Sequence, residues 1–237
     1  MNIIADLHTH TIASTHAFST VDEMCAAAAE RGLKAIAITD HGPATPDSPH
    51  PWHFFGISNI PRVIRGVTVI RGIEANVTDS NGTLDFNGDY QLDYVVASMH
   101  SEAYSPSSAE NHTAAWLAVC DNPGVNCIGH CGQSRYPFDH EAVVKRCKET
   151  GTIIEINAAS LRIRAGSAEN CPEIAKLCAK YGVPVVVTSD AHDRWHVGEF
   201  AGAVDLLKAV DFPEALILNA DWDRLKAYFK ARKGIDL

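Results

Sequence analysis

Short apolar segments alternate with longer amphipathic segments along most of the chain, and the first apolar segment contains Ile3, Ile4, Ala5 and Leu7. These segments are almost continuously apolar, which is typical of strands in a parallel sheet whose outer face is covered by helices. We therefore predict seven strands. The six that follow the first lie at residues 33–39, 67–73, 92–99, 125–129, 152–156 and 183–188.

The amphipathic segments predict helices at residues 20–31, 111–120, 140–150, 171–181, 198–210 and 221–233. In the first, Thr20 and Glu23 have the spacing of a capping box. Gly32 follows that helix, at the position where glycine commonly ends a helix. The stretch 41–61 is rich in proline and predicts a long loop beside the active site.

Successive strand ends lie about 30 residues apart, the length of a strand-plus-helix unit. Polar residues mark the C-terminal end of nearly every strand. An open sheet would take its ligands only from the strands beside its switch point, whereas a closed barrel presents a site at all of its strand ends. We therefore predict an α/β fold with a seven-stranded (β/α) barrel. The chain shows no linker, low-complexity tract or repeat, so residues 1–237 are expected to form a single domain.

Composition narrows the possible partners and the cellular compartment. The 237 residues are 46% hydrophobic, and the net charge of −9 argues against nucleic acid or an anionic membrane as the main partner. No apolar run reaches the roughly 20 residues of a membrane span, and no leader segment is evident. The seven cysteines lack a disulfide-like spacing, so reduced thiols in a cytoplasmic protein are expected. The sequence does not determine the oligomeric state, and a homo-oligomer is one of the states it allows.

The twelve histidines are the chemically informative feature. The first strand ends in His8-Thr9-His10, and residues two apart on a strand point to the same face, so these two imidazoles project together. His16 follows in the next loop. Neutral imidazole is the commonest protein metal ligand, and this arrangement indicates a metal site.

Similar side chains follow the other strands, and the complete candidate set is His8, His10, His16, His41, Glu74, His100, His130, Asp190 and His192. A lone histidine at a strand end is usually an ordinary hydrogen-bonded residue. Nine such groups at one barrel mouth would have nothing to balance their desolvation without metal. They exceed the needs of one zinc ion and suit two or three ions, with Glu74 able to bridge. Imidazole with carboxylate favours Zn²⁺, and Mn²⁺ or Fe²⁺ less decisively.

Clustered divalent ions can activate water and hold a phosphoryl group on both its attacking and its leaving sides. The sequence therefore predicts a metal-dependent enzyme that hydrolyses a phosphate ester. We expect a phosphatase, a phosphoric monoester hydrolase acting on a small phosphorylated substrate, with a phosphodiester as the open alternative. The expected nucleophile is a metal-bound hydroxide held by Glu74 and Asp190.

Four motifs together resemble those of the PHP (polymerase and histidinol phosphatase) superfamily: DLHTH at 6–10, TDH at 39–41, GIEAN at 72–76 and SDAH at 189–192. Further stretches at 13–17, 49–54 and 157–171 resemble the YcdX-type probable phosphatases within it. The resemblance covers nearly the whole chain. It implies a distorted (β/α)7 barrel and a trinuclear zinc centre.

The resemblance also implies three ligand sets, with Glu74 bridging the first two. They are His8, His10, Glu74 and Asp190 for the first ion, Glu74, His100 and His130 for the second, and His16, His41 and His192 for the third. All nine expected ligands are present.

Substrate contacts are predicted outside this set. An arginine could grip phosphate bidentately, and the candidates are Arg164 and Arg162 after the sixth strand and Arg135 after the fifth. Asn157 could donate to a phosphate oxygen. Asp40 could either orient a ligand imidazole or cap a helix.

The other histidines are expected to have non-catalytic roles. His50 and His53 are predicted either to meet substrate or to pack around Trp52. His112, His140 and His196 are predicted to be solvated surface residues.

Three other functions fit part of the pattern. A metal-dependent amidohydrolase also begins with His-x-His, but most bridge their metals with a carboxylated lysine where this chain has Glu74 or His100. A non-catalytic metal-binding or polymerase-accessory module would need no complete ligand set. A histidinol-phosphate phosphatase or a phosphodiesterase would differ only in substrate.

Overall fold

The computed structural model describes residues 1–86 and 90–237, and its centre is a parallel sheet. Seven strands pair in the order β1-β2-β4-β5-β6-β7-β8, each parallel to the next, and a short β3 pairs antiparallel with β4. Their bounds are β1 Ala5–Thr9, β2 Ala35–Ile38, β3 Val63–Ile64, β4 Val67–Asn76, β5 Tyr94–Ser98, β6 Cys127–Ile128, β7 Ile153–Asn157 and β8 Val185–Thr188. The sequence missed β3.

The first and last strands nearly close the sheet into a barrel. At the C-terminal end, the Asp190 backbone N–H donates to the His8 carbonyl at 3.0 Å, and the His10 N–H donates to the Ala191 carbonyl at 2.8 Å. Further down, the buried Asn219 side chain fills the gap between the two strands. Its amide nitrogen donates to the Ala5 and Val187 carbonyls, and its oxygen accepts from the Val187 N–H. The predicted fold, a distorted (β/α)7 barrel, is confirmed.

Eight α-helices lie in the described part of the chain: α1 Val21–Glu30, α2 Trp52–Gly56, α3 Ala109–Asp121, α4 His140–Thr150, α5 Ser160–Ile163, α6 Ser167–Tyr181, α7 Ala201–Ala209 and α8 Trp222–Lys233. Three short 3₁₀ turns cover Ile57–Asn59, Glu214–Leu216 and Leu218–Ala220. The predicted capping box on α1 is confirmed, because Thr20 and Glu23 bond reciprocally. All six predicted helices are present, with bounds shifted by a few residues.

Two element predictions need correction. The stretch 41–61 is not loop throughout, because α2 and the following 3₁₀ turn lie within it. Helix α6 begins at Ser167, four residues before the predicted start at position 171. Pro172, which reads as a residue of a first turn, instead lies inside this helix.

Three predictions about single residues are also corrected. His112 is fully buried rather than solvated, since Nδ1 donates to the Pro137 carbonyl and Nε2 accepts from the Ser107 N–H. His140 is partly buried, and only His196 is exposed as predicted. Trp52 is 77% exposed and packs edge-on against the ring of His50, with 5.2 Å between the ring centroids, whereas His53 packs against Phe54 instead.

The apolar residues divide between the two faces of the sheet. One cluster fills the barrel interior, and Leu225 and Phe229 of α8 pack into it. A larger cluster lies between the outer face and the surrounding helices. All seven cysteines are buried free thiols. Within the described ranges, no helix is long and apolar enough to cross a membrane.

Candidate metal centre

All nine predicted ligands meet at the C-terminal ends of the strands, and Glu74 lies at their centre. Its carboxylate, at the end of β4, contacts five imidazoles. The nitrogen-to-oxygen distances are 2.8 Å for His130, 2.9 Å for His41, 3.4 Å for His8 and 3.6 Å for both His10 and His100. Glu74 is only 1% exposed, so these contacts occur away from water.

Asp190 is the second carboxylate of the cluster. Its Oδ1 lies 3.2 Å from His10 Nε2 and 3.7 Å from His8 Nε2. Asp190 and His130 both have positive φ, 56° and 24°, a region that non-glycine residues seldom adopt. Such backbone conformations are concentrated at functional sites, where the surrounding structure holds them in place.

The geometry of β1 changes where the histidines begin. The pairing of β1 with β2 shifts register between Asp6 and Thr9, which brackets His8. Bulges of this kind re-aim side chains next to active sites. His8 and His10 end with their ring centroids 5.1 Å apart, as the same-face argument predicts.

Glu155, on β7, contacts two of the predicted ligands, and the sequence analysis did not identify it as a site residue. One of its carboxylate oxygens lies 2.6 Å from His8 Nδ1, and the other accepts from the His130 backbone N–H at 2.6 Å. The Thr188 hydroxyl also donates to it. A carboxylate inside an otherwise apolar, buried strand was the signal for this role.

Other buried groups orient the remaining imidazoles. Nδ1 of His100 lies 2.7 Å from the Asn76 side-chain oxygen, and Asn76 in turn donates to Asp85 at 2.6 Å. Nδ1 of His192 lies 2.9 Å from the Asp190 carbonyl oxygen. Because Nδ1 of each ring is already engaged, Nε2 is the nitrogen left to ligate a metal, as is usual for ligating imidazoles.

The mouth of the cluster contains an acid that the sequence did not indicate. Asp47 Oδ2 lies 2.9 Å from His16 Nδ1 and 3.7 Å from His41 Nε2. Asp47 follows no strand, and its place beside His16 depends on how residues 42–51 fold back. The Thr15 N–H fixes that position by donating to the Asp47 carbonyl at 2.9 Å.

The charges of the cluster favour a cation. Burial lowers the pKa of His10 and of His100 to about 3, so both rings are neutral at pH 7. Burial opposes ionisation of Glu74, but the neighbouring imidazoles, His8 foremost, outweigh it and hold its pKa well below the usual range. Burial also disfavours charge on His8, yet Glu155, Glu74 and Asp190 raise its pKa well above the ordinary value. The buried carboxylates therefore attract positive charge to this point.

The donor atoms fit a metal centre. In the described structure, several buried atoms of the cluster make no well-aligned hydrogen bond, although some lie within 3.7 Å of a carboxylate oxygen. They are Nε2 of His8, both ring nitrogens of His10, Nδ1 of His41, Oε2 of Glu74, Nε2 of His100, Nδ1 of His130 and Nε2 of His192. Buried polar atoms without partners are rare and costly. Four three-residue groups have ligand atoms within 4.8 Å of one another: His8, His10 and Glu74; His41, Glu74 and His100; His10, His41 and His192; and His16, His41 and Asp47.

The predicted substrate residues have different positions. Arg164 lines a cavity of about 440 Å³ together with His16, His41, His100, Asp190 and His192. Its guanidinium Nη2 lies 3.9 Å from Asp190, and its buried Nε has no partner among the described residues. Arg162, two residues earlier and within α5, is exposed and lines neither this cavity nor the next one along the surface. Arg135 lines that second cavity, beside Arg164.

Two other predictions change with the observed contacts. Asn157 is buried, and its amide donates to Asp190 at 3.0 Å, so the structure gives it a carboxylate partner in place of the predicted phosphate. Asp40 neither orients a ligand imidazole nor caps a helix. It accepts from the Thr11 N–H and from the Thr11 and Ser14 hydroxyls, and it lies 3.2 Å from His53.

The sequence of this chain matches one protein-family model and is similar to proteins of nearly the same length. The PHP domain family model matches residues 6–159. A probable phosphatase of Clostridium novyi (strain NT) is 44% identical over 235 residues, which are 98% of this chain and 96% of that protein. A probable phosphatase of Acetivibrio thermocellus is 43% identical over 235 residues, 98% of each chain.

Comparison with solved structures supports the fold. The histidinol phosphate phosphatase of Lactococcus lactis, solved in complex with zinc, L-histidinol and phosphate, superposes with a TM-score of 0.66. The match covers 90% of this chain and 95% of that one, at 17% sequence identity.

Proposed function

The chain belongs to the PHP domain family, and from that membership we propose that it is a metal-dependent phosphatase that hydrolyses small phosphate monoesters. The observation that supports this proposal most directly is the cluster of buried imidazole and carboxylate atoms at the barrel mouth that make no well-aligned hydrogen bond. Its full-length relatives are named probable phosphatases, and the Lactococcus lactis structure was solved with zinc and phosphate. Both support the proposal.

The residues proposed to hold metal are the nine predicted ligands, in three sets that take zinc. His8, His10 and Asp190 share Glu74 with His100 and His130, while His16, His41 and His192 form the outer set. Asp47, beside His16 and His41, is a further donor at the outer set. Bound divalent ions supply Lewis acidity toward a phosphoryl oxygen and make water a better nucleophile at neutral pH.

The protein's own groups fix the positions of these donors. Glu155 holds the ring of His8, and Asn76 holds that of His100, so neither imidazole rotates freely. Asn157 donates to Asp190 and fixes the second carboxylate. Hydrogen bonds behind ligating imidazoles set their tautomer and commonly change metal affinity 10- to 100-fold when they are removed.

Arg164 is proposed to orient the phosphoryl group. It lines the cavity that contains His16, His41 and His192, and its partly free guanidinium can donate two parallel hydrogen bonds to phosphate oxygens. The cavity, at about 440 Å³, suits a small ester. Positioning of this kind lowers the activation barrier, because groups that are already held in place lose less translational and rotational entropy on reaching the transition state.

The test is hydrolysis by freshly purified protein before chelation, after chelation and after zinc is restored. The substrates are 4-nitrophenyl phosphate, its bis(4-nitrophenyl) diester, a 4-nitroanilide and a lactone. We expect the monoester to be hydrolysed fastest, with activity lost on chelation and recovered with zinc. Faster hydrolysis of the anilide or lactone would instead indicate an amidohydrolase. A metal-loaded protein that is inactive on every substrate would indicate a non-catalytic module.

A further inference from the structure

A second cavity, of about 480 Å³, adjoins the metal-site cavity. The two share Ile163 and Arg164, so a ligand can extend from one into the other. The second cavity is lined by Gln133, Ser134, Arg135, Ile163, Arg164 and Ala165. We call it the side cleft.

The side cleft is cationic. Arg135 and Arg164 both line it, and none of the six lining residues in the described chain carries a carboxylate. Arg135 donates from Nη1 to the Ser101 hydroxyl at 2.9 Å, which uses one of its five N–H groups. The guanidinium is otherwise exposed, and it can take a second planar partner.

The walls of the side cleft are tied together. The Ser134 N–H and hydroxyl both donate to the Ala165 carbonyl, at 2.8 and 3.1 Å. Gly166 has φ of 84°, and a Cβ there would lie 2.5 Å from that of Ser134, so only glycine permits this approach. Gln133 donates to the Met99 carbonyl. The cleft is therefore formed by hydrogen-bonded backbone from the loops after β6 and α5, and this backbone carries Arg135.

We propose that the side cleft binds a second anionic group of the substrate, with Arg135 as the residue that selects it. The substrate class is then a small phosphate monoester whose alcohol portion also carries a carboxylate or a phosphate. This inference rests on the proposed phosphatase function. Arg164, shared by the two cavities, contacts the phosphoryl group, and Arg135 contacts the second anion.

The test uses two esters that differ only in that anion, glycerol 3-phosphate and 3-phosphoglycerate. Their inhibition constants are measured against hydrolysis of 4-nitrophenyl phosphate by the zinc-loaded protein, so neither ester needs to be a substrate. We expect 3-phosphoglycerate to bind the wild type more tightly. In Arg135→Met, which keeps most of the apolar stem, its binding should weaken about 10-fold or more, the effect of one charged hydrogen bond. Binding of glycerol 3-phosphate should change less than about 3-fold.

Arg162→Met is the matched control, since Arg162 lies on the same surface but lines neither cavity. It should leave both inhibition constants unchanged. Equal binding of the two esters to the wild type, or equal weakening of both by Arg135→Met, would overturn the inference and leave the phosphatase proposal intact. A zinc-loaded wild type without phosphatase activity would overturn the proposed function, and the inference with it.

Discussion

Glu74 has both carboxylate oxygens among the imidazoles of the cluster, and Arg164 lines the adjoining cavity together with Asp190. Arg164 Nη2 lies 3.9 Å from Asp190, at the limit of an ion pair, and its Nε has no described partner. A guanidinium with unused donors beside a carboxylate can exchange part of that contact for a phosphate. We therefore make different predictions for Arg164 and for Arg162, which lies two residues earlier in the chain.

Arg164→Ala should lower kcat/KM on 4-nitrophenyl phosphate about 30- to 150-fold, the equivalent of about 2–3 kcal/mol for a lost charged hydrogen bond. Zinc content should not change, because guanidinium is not a ligand. Steady-state kinetics and elemental analysis of the same preparation check both statements. Arg162→Ala should match the wild type, because Arg162 is exposed on α5 and lines neither cavity. Wild-type kinetics for Arg164→Ala would assign it no substrate role, and a loss of zinc would make its role structural.

At the scale of residues, the sequence identified side chains at strand ends more reliably than side chains whose position depends on the path of a loop. His8, His10, Glu74 and His100 come directly at strand ends, where parallel strands bring them together. Asp47 lies beside His16 only because residues 42–51 fold back over the mouth, and no periodic pattern encodes that path. His112 read as a surface residue because its acceptor, the Pro137 carbonyl, lies 25 positions away.

The barrel closes through a side chain as well as through backbone. The Asn219 amide makes three hydrogen bonds to Ala5 and Val187, in place of a regular ladder between β1 and β8. β1 presents His8, and Asp190 follows β8, so this closure also sets the distance between two parts of the metal cluster.

Asn219→Ala should lower the free energy of unfolding by about 2–4 kcal/mol, because it leaves buried backbone groups of both strands without partners. Urea unfolding monitored by circular dichroism measures this. Asn126→Ala is the control, since the Asn126 side chain makes one described hydrogen bond, accepting from the Val95 N–H, and should cost less. Equal losses from the two substitutions would contradict a special role for Asn219 in closure.

At the scale of elements, apolar runs and caps predicted the seven parallel strands and six helices. The sequence missed α2, α5 and β3, because five, four and two residues are too short for a periodic signal. It also placed the start of α6 four residues too late, at position 171 instead of Ser167.

Across the whole molecule, buried thiols such as Cys171 and Cys178 make stability sensitive to alkaline pH. Burial raises the pKa of Cys171 and of Cys178 to about 12, compared with about 8.5 in an unfolded chain. The native state therefore keeps protons that the unfolded state releases. Its stability is complete below about pH 8.5 and falls as the pH rises toward 12.

We expect the free energy of unfolding to fall between pH 8 and pH 10.5, with Cys178 contributing on the order of 2–3 kcal/mol. Urea titrations at the two pH values measure the difference. Cys178→Ala removes one ionising group and should show a smaller fall, whatever its stability at pH 8. An identical pH dependence in wild type and variant would contradict this assignment.

The acidic net charge of −9 and a phosphate substrate are compatible only if the mouth of the barrel is locally cationic. Three divalent ions would bring six positive charges to Glu74 and Asp190, and Arg164 would add one more. The metal content therefore decides whether this surface attracts or repels a phosphate ester.

The most direct test of the account is elemental analysis of freshly purified, unchelated wild type beside Glu74→Gln. We predict close to three divalent ions per chain, mainly zinc, in the wild type. At least two should be lost from Glu74→Gln, because that carboxylate is proposed to bridge two ions, and an unchanged circular dichroism spectrum would show that the fold is retained. One ion or fewer in the wild type, or full metal content in Glu74→Gln, would contradict the trinuclear centre.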